Sequence, residues 1–193
     1  MLNLSARNHK LTIDNLDCTP ILISADGGWS HYDQSGLATI DATFVLKRSL
    51  GWTEPLDDRI NPRWGRGKII KFYVSDSSMA LRPAPVLGHL YILNAEYDGI
   101  SQLTIEAGCV LNLLNFRTPA GDGACFDLGQ TTSVNAIAVK LLQKIGIFGF
   151  AGSLSGQPLT VSLPKLNNES YISLFGKLCW SNGSLAYQAI QFS

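Results

Sequence analysis

The segment from Leu37 to Arg48 alternates apolar and polar residues, with Ile40, Ala42, Phe44 and Leu46 on one face and Thr39, Asp41, Thr43 and Lys47 largely on the other. A period of two places successive side chains on opposite faces of a pleated strand, so this pattern specifies a half-buried strand. Lys68–Ser75 repeats it, Ile70, Phe72 and Val74 opposing Lys71 and Tyr73, and Leu87–Glu96 carries Tyr91, Leu93 and Ala95 as its alternating set. Asp98-Gly99 then signals a tight turn, and Gln102–Ala107 resumes with Leu103, Ile105 and Ala107 inward, which predicts a hairpin. Earlier candidates are Lys10–Asp14 and Thr19–Ala25, the latter running into a Gly27-Gly28 turn. About six sequential strands with one buried face close most economically as an antiparallel barrel or sandwich.

The pattern changes after Cys109. Val110–Phe116 suits a short helical turn, and Thr118–Gln130, with Pro119, Gly121, Gly123 and Gly129, reads as a linker. Ser133 caps a helix to about Ile145, with Val134, Ile137, Ala138, Leu141, Leu142 and Ile145 as its apolar stripe. Asn168 or Ser170 caps a second helix bearing Tyr171, Ile172, Phe175, Leu178 and Cys179, and Asn182-Gly183 stops it. Ser184–Phe192 alternates as a final strand with no sequential partner; it must pair with an earlier strand, another chain, or residues beyond Ser193. The fold class expected is mainly β (α+β): a β-barrel domain over 1–117, a linker over 118–132 and a small helix-helix-strand region over 133–193.

Composition excludes several functions. The chain has 15 basic and 15 acidic residues and no basic stripe, so nucleic acid is not expected as a partner. With 46% hydrophobic residues it falls in the globular class, and its neutrality leaves little repulsion between copies. No segment approaches the roughly 20 apolar residues of a membrane span, and the N-terminus lacks a basic region followed by an apolar run, so folding in the cytoplasm is expected. Cys18, Cys109, Cys125 and Cys179 are widely separated, which predicts reduced, mostly buried thiols with no metal site or redox pair.

No catalytic or cofactor motif survives inspection. Gly65-Arg66-Gly67-Lys68 lacks the spacing of a phosphate loop and enters a strand, and the Gly121–Gly129 segment has no lysine where phosphate would be gripped. Gly152–Gly156 centres on Leu154, so it is no nucleophile elbow, and His9, His31 and His89 are scattered. Asp57-Asp58 offers two carboxylates, but adjacent loop residues diverge, and a solvated turn or a salt bridge to Arg59 or Arg63 is the favoured reading.

The most unusual segment is the loop Gly51–Gly67, which is long, carries prolines, and holds Trp52, Asp57, Arg59, Arg63, Trp64 and Arg66. Tryptophan and arginine bring large buried area and directional hydrogen bonds to interface centres, so these six residues are the candidate protein-interface residues. The competing reading is a loop that packs onto its own barrel. A β-rich glycan- or ligand-binding module, motivated by Trp29, Trp52, Trp64 and Trp180, is the alternative function, and a hydrolase ranks third for want of a convincing acid and nucleophile.

The order of features resembles the baseplate hub proteins of phage tails and contractile injection systems. The strand near Thr39–Arg48 is followed by Asp57-Asp58-Arg59 and by Arg66-Gly67-Lys68-Ile-Ile-Lys-Phe-Tyr-Val. Gly88-His-Leu-Tyr-Ile-Leu and Ala107-Gly-Cys-Val-Leu-Asn-Leu-Leu come next, then the Ser133–Ile147 helix and the Asn-x-Ser segment after Leu163. The resemblance implies a tail-tube-like barrel in a non-enzymatic structural protein that needs no cofactor. It also implies assembly with itself as a trimer, and with tube and spike proteins, in a virion tail or injection particle. Such proteins carry two barrels per chain, whereas one is legible here.

Overall fold

The computed structural model describes residues 7–32, 37–76, 79–81, 83–114, 133–144, 170–181 and 186–187. The linker expected over 118–132, Cys125, the Gly152–Gly156 loop, the Asn-x-Ser segment with Asn168, and the Asn182-Gly183 stop lie outside them. The chain is mainly β. Strands β1 (Arg7–Ile13), β2 (Leu16–Asp17), β3 (Leu22–Tyr32), β4 (Leu37–Lys47), β5 (Ile69–Asp76), β6 (Leu90–Tyr97) and β7 (Gln102–Gly108) form one sheet in the order β2-β1-β5-β6-β7-β4-β3. The described ladders among them are antiparallel.

Chain geometry forces this sheet to curl. In a flat sheet, six inter-strand spacings of about 4.8 Å would separate β2 from β3 by roughly 29 Å. The chain passes directly from Asp17 to Leu22, a reach of at most about 18 Å and less through the 3-10 turn Thr19–Ile21. The first and last strands are therefore drawn together around one interior. That interior is filled by Leu11, Ile13, Ile40, Ala42, Phe44, Leu46, Ile70, Phe72, Leu90, Ile92, Leu103, Ile105 and Ala107, all buried. Phe44 and Phe72 meet edge to face with ring centroids 5.6 Å apart.

Three local readings are corrected. Gly27-Gly28 is not a turn: β3 runs through it, because β-carbons are absent where strands press together. A Cβ on Gly27 would lie 2.8 Å from both the Ala42 Cβ and the Asp41 carbonyl oxygen. The expected strand Thr19–Ala25 begins instead as the 3-10 turn at Thr19–Ile21, with Pro20 in its first turn and β3 starting at Leu22. On β6 the ladder to β7 steps from Ile92↔Ala107 to Asn94↔Glu106, so Leu93 is an extra residue in a bulge. The bulge switches the strand's parity. Leu90 and Ile92 are buried before it, Ala95 and Tyr97 stand opposite the buried Ile105 and Leu103 after it, and Tyr91 and Leu93 do not share the face of Ala95.

The β1–β2 connection is the two-residue turn Asp14-Asn15, with φ of 48° and 66°, the mirror-image turn that matches strand twist. The predicted β6–β7 hairpin forms at Asp98-Gly99. Asp98 Oδ1 accepts from the backbone N–H groups of Ile100, Ser101 and Gln102 at 2.8, 2.8 and 2.9 Å, and Gly99 takes φ +80°. The bonds from Gln102 and then Ile100 hold the Asp98 carboxyl below the usual aspartate range. This stabilisation is complete above the unfolded value near 3.9 and is lost as pH falls through the lower folded value. In Asp98→Asn the melting temperature should therefore depend less on pH below about 4 than in the parent chain, an outcome read by circular dichroism.

The chain divides into two compact units. One comprises Met1–Ser30, Thr39–Leu113 and Gln188–Ser193, the other His31–Ala38 and Leu114–Tyr187. At the end of the first unit's sheet, helix α1 (Val110–Leu114) turns back over β4: Asn112 Nδ2 donates to Asp41 Oδ1 at 2.6 Å. Asn112 packs where a Cβ on Gly108 would lie only 2.8 Å from its side chain. In the second unit, helices α2 (Val134–Lys144) and α3 (Tyr171–Ser181) pack together. Ser133 Oγ accepts from Ala136 N–H and Ser170 Oγ from Ser173 N–H, each at 3.2 Å, so both helices are capped by serine. Ala138, Leu174, Phe175, Leu178 and Cys179 are buried. The final strand finds its partner within the chain: β8 (Ala186–Tyr187) pairs in parallel with the start of β4, Leu37↔Ala186 and Ala38↔Tyr187.

Cys18, Cys109 and Cys179 are free and buried. Burial pushes the Cys18 thiol up to about 12 and the Cys179 thiol to about 11. Because the thiolate is the reactive species, both should resist a thiol reagent at pH 8 in the folded chain and react on denaturation, as mass spectrometry of the labelled peptides would report.

Candidate interaction surface

The connection between β4 and β5 is an ordered structure with its own interior. Trp64, 2% exposed, is its centre, and its Nε1–H donates to the Pro55 carbonyl at 3.0 Å. Asn61 Nδ2 donates to the same carbonyl at 2.9 Å, while Asn61 Oδ1 accepts from Arg63 N–H at 3.0 Å and caps the 3-10 turn Pro62–Trp64. Leu56 is buried beside them in sequence, and Gly51 and Gly67, at φ +85° and +86°, allow the reversals at either end. Compact loops packed by their own side chains behave as rigid units.

Four contacts tie the loop to the barrel. Arg63 bridges to Glu54 at 2.9 Å and donates Nη1–H to the Asp14 carbonyl at 3.1 Å. Lys68 reaches the Asp14 carboxylate at 2.9 Å, and that bond leads the effects holding the Asp14 carboxyl below its usual range. Asp58 Oδ1 accepts from Tyr97 N–H at 3.2 Å, and Arg66 Nε–H donates to the Leu93 carbonyl, freed by the bulge, at 2.8 Å.

The six residues expected at an interface therefore play different parts. Trp64 is interior and fixes the loop from within; it offers no ring face to a sugar or a partner. Arg63 is committed to Glu54 and Asp14. Arg59 projects outward, its side chain 78% exposed, and grips Asp57 with two bonds of 2.9 and 2.7 Å, which depress the Asp57 carboxyl. Of the paired carboxylates, Asp57 thus meets Arg59 and Asp58 meets a backbone N–H, so the pair serves structure. Arg66 is exposed, and Trp52 is half-buried, its Nε1–H buried without an acceptor among the described residues.

Sequence inspection missed the aliphatic side chains around the loop. Leu50 is fully exposed, Ile100 is 83% exposed and Ile60 67%. The Arg48 N–H bond to the Ser101 carbonyl and the Asp58–Tyr97 bond bring their three turns to one end of the barrel. Loop tips are expected to be polar, so only the register of β4 against β7, which sets Lys47 opposite Gln102, brings these positions together. Among the described residues no cluster of histidine, cysteine or carboxylate groups is arranged to hold a metal ion.

The architecture is that of a mainly-β protein with one curled antiparallel sheet, an ordered loop at one end and a small helical unit. No family model matches the sequence, and no curated protein matches it. The fold is shared with a solved structure, the 43 kDa tail protein of prophage MuSo2 from Shewanella oneidensis, at TM-score 0.51 and 14% identity. The similarity covers 94% of this chain and 52% of that one, so this chain spans about half the length of the tail protein.

Proposed function

We propose that this chain is a non-enzymatic structural subunit of a phage or phage-like tail, placed in the baseplate hub and assembling with itself and with tube and spike proteins. The observation that carries the reading is the likeness to a prophage tail protein, which extends over 94% of the chain and through both units. The motif order that resembles hub proteins points the same way from an independent direction. Trimeric assembly, a tube-like role for the barrel, and residence in a virion tail or injection particle belong to the same proposal.

The loop end suits such a role. Arg59, Arg66, Trp52, Leu50 and Ile60 stand on a loop held by its own interior, with Ile100 beside it on the β6–β7 turn, so little conformational entropy is lost on docking. Light scattering of the purified chain, alone and mixed with tail-tube and spike proteins, tests the proposal. Defined complexes are expected, and a strict monomer that binds neither partner would overturn it.

A further inference from the structure

The outward side chains of the barrel divide by charge. On β3, β4, β6 and β7 the exposed carboxylates Asp26, Asp41, Glu96 and Glu106 stand with one lysine, Lys47. On β1 and β5 the outward positions along the strands hold Lys10 and Lys71, and the carboxylate of these strands, Asp76, stands exposed at the end of β5 opposite Arg7. Asp17, on neighbouring β2, accepts from the N–H and hydroxyl of Thr19 at 2.9 and 2.5 Å and also lies within reach of the Lys10 charge, which partly offsets that lysine. Neither lysine makes a salt bridge among the described residues. The chain as a whole has no net charge, so the separation gives it two oppositely signed walls and no global repulsion between copies.

The acidic wall also has shape. A cleft of about 340 Å³ is lined by Asp26, Gly27, Asp41, Thr43, Leu93 and Glu106. Gly27 brings no side chain to it, the bulge turns Leu93 into its wall, and Asn112 holds Asp41 in place. Carboxylates around an apolar side chain match a lysine, whose long stem is apolar and whose tip is charged.

We infer that the carboxylate-bearing wall of β6, β7, β4 and β3 docks the Lys10/Lys71 wall of a second copy of this chain, with a lysine ammonium entering the cleft. The inference rests on the proposal that the chain assembles with itself, and it names the surfaces. Because the two patches differ, the contact is heterologous, so it propagates from copy to copy and closes as a ring or continues as a filament. Complementary charge sets the register and speeds encounter.

Sedimentation velocity of the full chain at about 0.1 M salt, where screening extends over roughly 10 Å, tests it. Lys10→Glu with Lys71→Glu, and separately Glu96→Lys with Glu106→Lys, are each expected to weaken self-association about tenfold or more. An equimolar mixture of the two variants should recover association between unlike copies, read as heterodimers, since each altered wall then meets its complement; a closed ring of three must hold one like pair and is not expected to recover, and misfolded variants would not associate on mixing. Association unchanged by either reversal, or lost without recovery on mixing, overturns the docking while the tail proposal stands. A parent chain that stays monomeric yet binds tube or spike protein also overturns only the docking.

Discussion

Trp64→Ala is expected to lower the melting temperature of the chain by roughly 6–20 °C, from about 3–5 kcal/mol for emptying a buried tryptophan site and about 2–4 °C per kcal/mol at this size. The indole is 2% exposed and lies at the centre of a loop that cannot collapse around the void, because its ends are pinned at Gly67 N–H to the Ile92 carbonyl and at Arg63 to Asp14. Removing the indole also deprives the Pro55 carbonyl of one of its two donors. The same variant should open the loop to trypsin at Arg59 and Arg63, whose peptide bonds the folded parent protects by holding the loop backbone in the 3-10 turn and in the bonds around Trp64 and Asn61. Thermal melts and timed digestion check both effects. A melting temperature within about 2 °C of the parent would mean that the loop has little interior worth losing, and a surface role for Trp64 would return.

That Trp64 is interior was not legible from the sequence. Tryptophan with arginine in a proline-bearing loop is the composition of an exposed hot spot and equally of a self-packed loop. The deciding partners, the Pro55 carbonyl and the Asn61 amide, are local hydrogen bonds that no periodicity records. The strands were legible where period two runs unbroken. Ile40, Phe44, Leu46, Leu103 and Ile105 are buried as their alternation requires, because inserting one residue would turn the whole set to solvent. Such an insertion occurs at Leu93, where the bulge resets the parity of β6; alternation carried across that point assigns Tyr91, Leu93 and Ala95 to one face when they do not share it. Thr39 illustrates a further limit. It takes the outward parity yet is only 6% exposed, and its hydroxyl has no partner among the described residues.

Gly27→Val is expected to cost about 2–3 kcal/mol, whereas Gly28→Ala one residue on should change stability by less than about 0.5 kcal/mol. Both glycines look alike in sequence and suggest a turn. The difference lies across the ladder: a Cβ on Gly27 would sit 2.8 Å from the Ala42 Cβ and the Asp41 carbonyl oxygen and 2.9 Å from the Ala42 Cα, while one on Gly28 meets nothing within 4 Å. Two of the three obstructing atoms at Gly27 are backbone, so relief requires β3 to move away from β4 and cannot come from a rotamer change. The contacts at risk are those of Ala25, Ala42 and Ile40, which are packed with almost no exposure. Denaturant melts of the two variants side by side measure the contrast, with the Gly28 variant as the control for loss of glycine itself. Equal destabilisation would show that backbone freedom, rather than the close approach of β3 to β4, explains the pair. Because Gly27 also lines the cleft between Asp26 and Asp41, the strand shift that destabilises the barrel should also weaken self-association at concentrations where the variant remains folded, whereas the Gly28 variant should assemble as the parent does.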